Sequence, residues 1–164
     1  MPRVHVGIGS NIDRENNIRG AVRELAAQYG PLTLSTVYES RAVGFEGQNF
    51  YNLVAGFDTE ESIERIKQAL SRIESHFGRT RAEDRFSART LDLDLLLYGD
   101  SVRHDGQVKL PHPDIQRYPF VLGPLADIAP NLKHPETGLS CAEMWQRFGS
   151  GRQETWKADF DPRS

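Results

Sequence analysis

Cysteine, long hydrophobic runs and a strong charge of one sign are all missing or scarce in this 164-residue chain. The single cysteine, Cys141, excludes an internal disulfide framework and indicates a reducing cytoplasmic setting; we expect it in an amphipathic helix as a core residue rather than a nucleophile. No apolar run approaches the ~20 residues of a membrane span, and the N-terminus has no secretory pattern. A net charge of −3 argues against a general binder of nucleic acids or anionic membranes. A cytoplasmic protein without nucleic-acid or membrane partners is therefore expected.

Complete glycine motifs for nucleotide binding are missing as well. The segment Gly7-Ile8-Gly9 lacks the Gly-Lys-Ser/Thr end of a P-loop and is not a full dinucleotide fingerprint. We therefore assign Gly7 and Gly9 to a tight turn. Any nucleotide that the chain binds must be held elsewhere.

The pattern of apolar residues predicts an α+β fold. Alternation favours strands near residues 4–8, 32–38, 50–58 and 90–98, and helical periodicity favours helices over 15–28 and from about 62 to 77. The order β-α-β-β-α-β is that of the ferredoxin-like split βαβ pattern. With the additions described next, we expect a three-layer α/β/α arrangement.

The last third of the chain adds elements to this pattern. Asp105-Gly106 predicts a hairpin, and apolar segments predict helices near 118–128 and 139–148. The length fits one domain, here taken as residues 1–149. The remainder, 150–164, is predicted to be a loose polar C-terminal tail, although Trp156 and Phe160 offer apolar groups that can dock.

Two aspartates on one predicted strand are the strongest chemical signal. Side chains two apart on a strand share a face, so Asp92 and Asp94 point the same way and the intervening leucines point the other way. Two neighbouring carboxylates repel each other unless a positive group neutralises them. Mg²⁺ is suited to this because it takes carboxylate oxygens and retains waters and substrate phosphates. The alternative is an ordinary solvated strand face.

An arginine-rich segment precedes this strand and carries no apolar periodicity, so we expect a loop. Arginine is suited to bidentate phosphate recognition. A merely solvated surface loop is the alternative. Acids that can hold metal beside such a loop indicate phosphoryl transfer from a nucleotide. The arginines are Arg79, Arg81, Arg85 and Arg89.

Six sequence blocks, taken in order over roughly residues 3–148, resemble the 6-hydroxymethyl-7,8-dihydropterin pyrophosphokinase family of folate biosynthesis. The string Arg89-Thr90-Leu91-Asp92-Leu93-Asp94 is the most specific of them. The others are Gly9-Ser10-Asn11, Gly44-x₃-Gln48-x-Phe50-x-Asn52, Glu74-x₃-Gly78-Arg79-x-Arg81, Leu110-Pro111-His112-Pro113 and the run from Phe120 to Pro130.

The resemblance implies transfer of diphosphate from MgATP to the hydroxymethyl group of the pterin, with release of AMP. It implies two Mg²⁺ ions shared by Asp92 and Asp94, and catalytic roles for Arg79 and Arg89 beside these aspartates. It also implies a set of ATP contacts: Glu74, Arg79, Arg81, Arg89, His112 and Arg117.

A pterin pocket follows from the same resemblance. A flat heterocycle is bound between aromatic faces, with an amide at its hydrogen-bonding edge, and Asn52 suits that edge. For Phe50 and Phe120 the alternative is ordinary core packing. The residues implied are Ser40, Val43, Gly44, Phe50, Asn52, Phe86 and Phe120.

Several positions depart from the family pattern. Ser40-Arg41 replaces Thr-Pro, Ser87-Ala88 replaces Gly-Pro, and Phe86 replaces a tryptophan. An arginine expected two residues before Phe120 is Tyr118, with Arg117 next to it. We predict that the metal and triphosphate chemistry is retained, whereas pterin specificity and rate are less secure.

Two alternatives follow from these departures. One is diphosphoryl transfer to a different hydroxymethyl heterocycle, and the other is a non-catalytic ferredoxin-like binding module. In the leading interpretation the partners are small molecules, the protein is a monomer, and the loops 40–49 and 79–89 close over both ligands.

Overall fold

The central sheet is built on its first strand, Arg3–Ser10, whose alternating apolar residues Val4, Val6 and Ile8 are buried. A computed structural model describes residues 1–41, 48–78 and 91–163. The strands are β1 Arg3–Ser10, β2 Thr33–Leu34, β3 Tyr38–Ser40, β4 Phe50–Asp58, β5 Asp92–Tyr98, β6 Arg103–Asp105, β7 Val108–Leu110 and β8 Thr155–Lys157. The helices are α1 Arg14–Tyr29, α2 Ile63–His76, α3 Asp114–Arg117, α4 Pro119–Ile128, α5 Cys141–Arg147 and a 3₁₀ helix, Gly149–Glu154.

The main sheet has the strand order β5-β1-β4-β3-β8, and β2 pairs with β4 above β3. All of these pairings are antiparallel. The first four positions follow the ferredoxin-like order, so the predicted α+β fold is confirmed. The β6–β7 hairpin forms a separate two-stranded sheet, as Asp105-Gly106 predicts, with Gly106 at φ 54° in its turn.

Helices cover the sheet on both sides, as the predicted three-layer arrangement requires. On one side α1 and α2 bury their apolar faces against the inward residues of β1, β4 and β5. On the other side α3, α4 and α5 pack against Val54, Leu96 and Leu97. The run Leu95-Leu96-Leu97 contributes to both layers because the β1–β5 register shifts between His5 and Val6.

Local capping explains where two of the helices begin. Ser62 accepts the N–H of Arg65 at the start of α2, and Ser140 forms a reciprocal capping box with Glu143 at the start of α5. Asp13 occupies the cap position of α1 without a side-chain bond to a helix amide. None of the helices in the described ranges has the length and apolarity needed to cross a bilayer.

Two elements differ from the predicted ones because side-chain chemistry interrupts them. The predicted second strand is split into β2 and β3, since the hydroxyl of Ser35 accepts the N–H of Val54 at 2.9 Å where a strand carbonyl would otherwise do so. The predicted helix near 118–128 begins at Pro119 and includes Pro124. Tyr118 is extended before this proline and separates α3 from α4.

The expectation of a loose C-terminal tail is wrong. Residues after Phe148 form the 3₁₀ helix and then β8, which pairs with β3. Phe160 docks on Tyr51 with ring centroids 5.3 Å apart, whereas Trp156 remains 39% exposed. The polar composition of this segment misled the sequence analysis because backbone pairing with a sheet edge requires few apolar side chains.

Candidate functional site

A row of residues crosses four neighbouring strands on the face that α3, α4 and α5 partly cover. Gly9 on β1 lies opposite Asp92 of β5 on one side and opposite Asn52 of β4 on the other. Tyr38 of β3 continues the row beyond Asn52. Because adjacent strands are about 4.8 Å apart, Asp92 and Asn52 are held about 10 Å from each other. Because Gly9 has no side chain, it leaves the surface of the sheet between Asp92 and Asn52 open.

The acidic pair has the orientation that the sequence predicts. Asp92 and Asp94 are half-buried, while Leu91, Leu93 and Leu95 are buried in the core on the other face. Asp94 lies opposite Gly7, so a second glycine borders the carboxylates. The pair therefore faces the open side of the sheet.

Glu74 supports this strand from the end of α2. It is 2% exposed, and its Oε2 accepts the N–H of Leu93 at 2.8 Å, between the two aspartates. A helix-surface carboxylate, which is the ordinary interpretation of its position, is therefore excluded. Its predicted contact with ATP stays a prediction.

His112 lies beside the acidic pair and is held by the backbone. Its N–H donates to the carbonyl of Leu96 at 3.0 Å, and its ring Nδ1 accepts the N–H of Asp114 at 3.1 Å. This second bond requires an Nδ1 without a proton, so the ring proton is on Nε2. Nε2 lies 4.0 Å from Oδ1 of Asp94. His112 thus directs an N–H donor towards the position where anionic ligands would meet the carboxylates.

Asp114 is a site residue that the sequence analysis missed. Ligand atoms of Asp94, His112 and Asp114 lie within 4.8 Å of one another, and all three residues are half-buried. Because both ring nitrogens of His112 are engaged in the tautomer described above, the groups of this set that can hold a divalent cation are the carboxylates of Asp94 and Asp114. The signal in the sequence was the position of Asp114 directly after Leu110-Pro111-His112-Pro113.

A groove leads away from Asp94 between α2, β5 and the β6–β7 hairpin. Its volume is about 530 Å³, within the usual range of small-molecule sites. Both apolar and polar residues line it, and Asp94 and His112 belong to this lining. The residues that define it are Lys67, Leu70, Val108, Lys109 and Leu110.

At the opposite end of the row, on β4 and β3, polar side chains lie among buried residues. Asn52 donates from Nδ2 to the hydroxyl of Ser40 at 3.3 Å. A Cβ on Gly9 would lie 2.8 Å from Oδ1 of Asn52, so only glycine leaves this amide in place. Burial, reinforced by the charge of Asp127, raises the pKa of Tyr38 to about 12, which keeps its phenol neutral.

Aromatic rings border this end. Phe50 is half-buried next to Tyr51, and Phe120 at the start of α4 stacks on Tyr118 with centroids 4.9 Å apart. Tyr118, the residue found where an arginine was expected, therefore covers one face of Phe120. Arg117 is exposed at the end of α3.

Cys141 has the structural role predicted for it. The thiol is buried at the first residue of α5 within the second core cluster. Burial raises its pKa to about 11, so the reactive thiolate is scarce at neutral pH.

The remaining predicted site residues fall in the two ranges that the structure does not describe. The arginine-rich stretch over 79–90 and the segment 42–47 both belong to this group. Their roles stay predictions. The residues concerned are Val43, Gly44, Arg79, Arg81, Phe86 and Arg89.

Comparisons with known proteins add independent findings. Residues 5–130 match the sequence model of the 7,8-dihydro-6-hydroxymethylpterin-pyrophosphokinase (HPPK) family. The 2-amino-4-hydroxy-6-hydroxymethyldihydropteridine pyrophosphokinase of Synechocystis sp. is 39% identical over 142 residues, which cover 85% of this chain and 72% of that protein. The protein of the same name from Haemophilus influenzae is 33% identical over 152 residues, covering 90% and 94%.

Solved structures show the same fold at low identity. The wild-type HPPK-DHPS of Plasmodium falciparum, crystallised with SDX-DHP, superposes with a TM-score of 0.71 at 12% identity. The match covers 96% of this chain and 47% of that one, so the chain spans about half the length of that protein. An HPPK-DHPS in complex with substrates gives a TM-score of 0.69 over 90% of this chain and 43% of that one.

Proposed function

Because the chain belongs to the 7,8-dihydro-6-hydroxymethylpterin-pyrophosphokinase family, we propose that it transfers the β,γ-diphosphate of ATP to the hydroxymethyl oxygen of 6-hydroxymethyl-7,8-dihydropterin. The products are AMP and the pterin diphosphate, an intermediate of folate biosynthesis. The chain is thus an ATP-dependent diphosphotransferase. The observation that supports the proposal is the row Asp92–Gly9–Asn52, in which a carboxylate and an amide lie on either side of a glycine on one face of the sheet.

ATP fits the end of the row next to β5. We place its adenosine in the groove between α2, β5 and the hairpin, against Leu70, Val108 and Leu110. Its phosphates then extend towards Asp94 and the Nε2–H of His112, which donates to a phosphate oxygen. Glu74 orders the strand between the aspartates and borders the same end.

The donor set at this end fits Mg²⁺. Asp92 and Asp94 present carboxylate oxygens from one strand face, and we propose that they hold two ions. When bound, Mg²⁺ neutralises charge on the triphosphate and aligns it for in-line attack. Asp114, within reach of Asp94, either completes this coordination or orients His112.

The pterin fits the other end of the row. The Asn52 amide, with one donor group and one acceptor, matches the polar edge of a pterin, and the hydroxyl of Ser40 fixes its orientation. Phe50 and Phe120 supply apolar contact for the ring. A pterin bound there directs its hydroxymethyl group across the surface of the sheet at Gly9, towards the acidic pair.

Further roles are assigned through the family resemblance. Arg79, Arg81, Arg89 and Arg117 bind the phosphates in this proposal, with Arg79 and Arg89 acting catalytically. Val43, Gly44 and Phe86 border the pterin. We also propose that residues 1–149 form the catalytic domain, with 150–164 as an extension of it, and that the protein acts as a cytoplasmic monomer.

Product analysis tests the proposal. The protein is incubated with MgATP and 6-hydroxymethyl-7,8-dihydropterin, and nucleotides are separated by chromatography. We expect AMP in a one-to-one ratio with pterin diphosphate. ADP as the product would indicate ordinary phosphoryl transfer, and binding without AMP would indicate the non-catalytic alternative.

A substrate panel tests the second candidate, transfer to another hydroxymethyl heterocycle. This candidate is considered because Tyr118 is found in place of an expected arginine and stacks on Phe120. AMP formation is compared across reduced and oxidised pterins that carry a hydroxymethyl group. A substrate that exceeds the dihydropterin in kcat/KM by more than about tenfold would transfer the assignment to that substrate.

A further inference from the structure

The C-terminal strand β8 takes the outer position beside β3, at the pterin end of the row. Ser40 lies opposite Thr155, and Tyr38 lies opposite Lys157. The hydroxyl of Thr155 donates to the carbonyl of Glu39 at 2.9 Å, and the N–H of Ala158 donates to the carbonyl of Val37 at 2.8 Å. Residues more than a hundred positions apart are thereby joined along the whole of β3.

β3 is short and lies next to the last strand of the sheet. It has three residues, and the Ser35 interruption separates it from the two residues of β2. Without β8 it would be the edge strand of the sheet, paired with β4 on its inner side and with unpaired backbone groups on its outer side. Short edge strands of this kind open locally at low cost in free energy.

The same strand positions the Asn52 amide. Ser40 is 4% exposed, and its hydroxyl accepts the Asn52 Nδ2–H group at 3.3 Å. Thr155, opposite Ser40, is likewise buried. A shift of β3 outwards would move this hydroxyl and release the amide that faces the heterocycle.

The C-terminal residues also pack against the other face of the sheet. The ring of Phe160 stacks on Tyr51, which lies between Phe50 and Asn52 on β4. Arg14 lies over the Tyr51 ring, with its guanidinium carbon 3.8 Å from the centroid. Arg163 donates to the carbonyl of Leu32 at 2.9 Å. β3 is therefore held at its edge, and β4 beside it is held from the opposite face.

We propose that the segment Thr155–Phe160, here called the brace, positions the pterin end of the site: it fixes Ser40 and through it the Asn52 amide. The inference rests on the proposed function and deepens it. In this proposal the brace acts through β3 rather than by contact with a substrate. Its loss weakens pterin recognition and leaves the ATP end unchanged, because β4 and β1 lie between β3 and β5.

Ala158→Pro in the full chain tests the brace, because it removes the N–H that binds Val37. Ala158→Ser keeps that N–H and is the matched control. We expect Ala158→Pro to raise the KM for the pterin about fivefold, the factor that corresponds to one lost hydrogen bond, with the KM for ATP unchanged. Ala158→Ser should match the unsubstituted protein. Equal changes in both KM values, or no change in either, would overturn the proposal.

Amide hydrogen exchange provides a readout that does not depend on activity. In Ala158→Pro we expect faster exchange at Tyr38, Glu39 and Ser40, with exchange on β5 unchanged. The exchange rates test whether the brace holds β3 even if the protein turns over no pterin. A failure of the brace proposal can therefore be told apart from a failure of the proposed function. Unchanged exchange on β3 would refute the brace.

A milder pair of variants applies if Ala158→Pro does not fold. Thr155→Val removes the hydroxyl donor to Glu39 with nearly the same volume, and Thr155→Ser retains it. Increased exchange on β3 and a raised pterin KM in Thr155→Val, both restored in Thr155→Ser, would support the brace. Identical behaviour of the two variants would contradict it.

Discussion

At the β5 edge of the sheet, the acidic pair lies on a seven-residue strand whose amide is also bound by Glu74. At the β3 edge, Ser40 lies on a three-residue strand that depends on β8 from the far end of the chain. The metal end is thus built on a long strand of the sheet. The heterocycle end is assembled from distant short pieces. Changes at the first edge should affect chemistry, and changes at the second should affect recognition.

The largest effect is expected from the acidic pair. Asp92→Asn and Asp94→Asn each remove a charge that would hold Mg²⁺ and keep the side-chain size. The rate of AMP formation should fall on the order of 10²–10³-fold, because phosphate charge is left uncompensated. Steady-state kinetics over a Mg²⁺ titration measures this.

Asp100→Asn, beyond the end of β5, is the matched control and should retain activity. Thermal unfolding should show that the site variants are folded. If the variants react at rates within about threefold of the rate of the unsubstituted protein, Asp92 and Asp94 do not hold the metal.

Glu74→Ala tests whether the β5 edge depends on its buried carboxylate. The Leu93 N–H would lose its acceptor in a buried environment, which costs about 2 kcal/mol in the free energy of unfolding. Glu74→Gln keeps an oxygen that can accept the same bond and should recover most of that loss. Urea unfolding of the two variants measures the difference, and equal stabilities would show that the bond contributes nothing.

His5 on β1 lies between the two edges and gives the fold a pH dependence. Burial, with a smaller effect from Arg3, lowers the pKa of this 3% exposed imidazole from 6.5 to about 4, while Asp58 opposes the shift. The unfolded chain therefore takes up the proton first as the pH falls. Stability should be complete above pH 6.5 and decrease towards pH 4, by about 2 kcal/mol between pH 7 and pH 5.

His5→Gln removes this titration and should flatten the pH profile of urea unfolding over the same range. Because β1 supports both edges, the amide protection factors on β3 and on β5, which are corrected for the slower intrinsic exchange at low pH, should fall together in the unsubstituted protein at pH 5. An unchanged profile in His5→Gln would assign the acid sensitivity to other groups.

The smallest effect is expected from substitution of Gly9, which lies between Asp92 and Asn52. Gly9→Ala places a Cβ 2.8 Å from the present position of the Asn52 oxygen, so the amide must move. The KM for the pterin should rise about threefold, as for a weakened hydrogen bond, while the KM for ATP stays constant. Gly7→Ala, where the nearest contact of a Cβ would be the Leu96 side chain at 3.4 Å, is the control. Equal kinetics for both variants would remove Gly9 from the pterin end.

Local pattern was sufficient where a residue's environment depends on its immediate neighbours. The alternation of Asp92, Leu93 and Asp94 fixed which side chains face the site, and the helical spacing of Ile63, Ile66, Leu70 and Ile73 fixed the buried face of α2. Asp105-Gly106 fixed the hairpin. In each case the period of the backbone decides the outcome.

Pattern failed where the partner is distant in sequence. Nothing near Ser35 indicated that its hydroxyl would replace a strand carbonyl for Val54. Glu74 looked like a surface carboxylate because its acceptor role belongs to Leu93, nineteen positions later. Asp114 became a candidate site residue only when the chain brought it near Asp94.

The sequence by itself determined the fold class, the orientation of the acidic pair and the chemistry that such a pair suits, because these depend on backbone period and side-chain type. Only the tertiary structure decided that Gly9 lies between Asp92 and Asn52, and that the last residues of the chain complete the edge next to Ser40. Strand register and edge pairing join residues that no local pattern relates. Their energies come from contacts that exist only after the chain has folded.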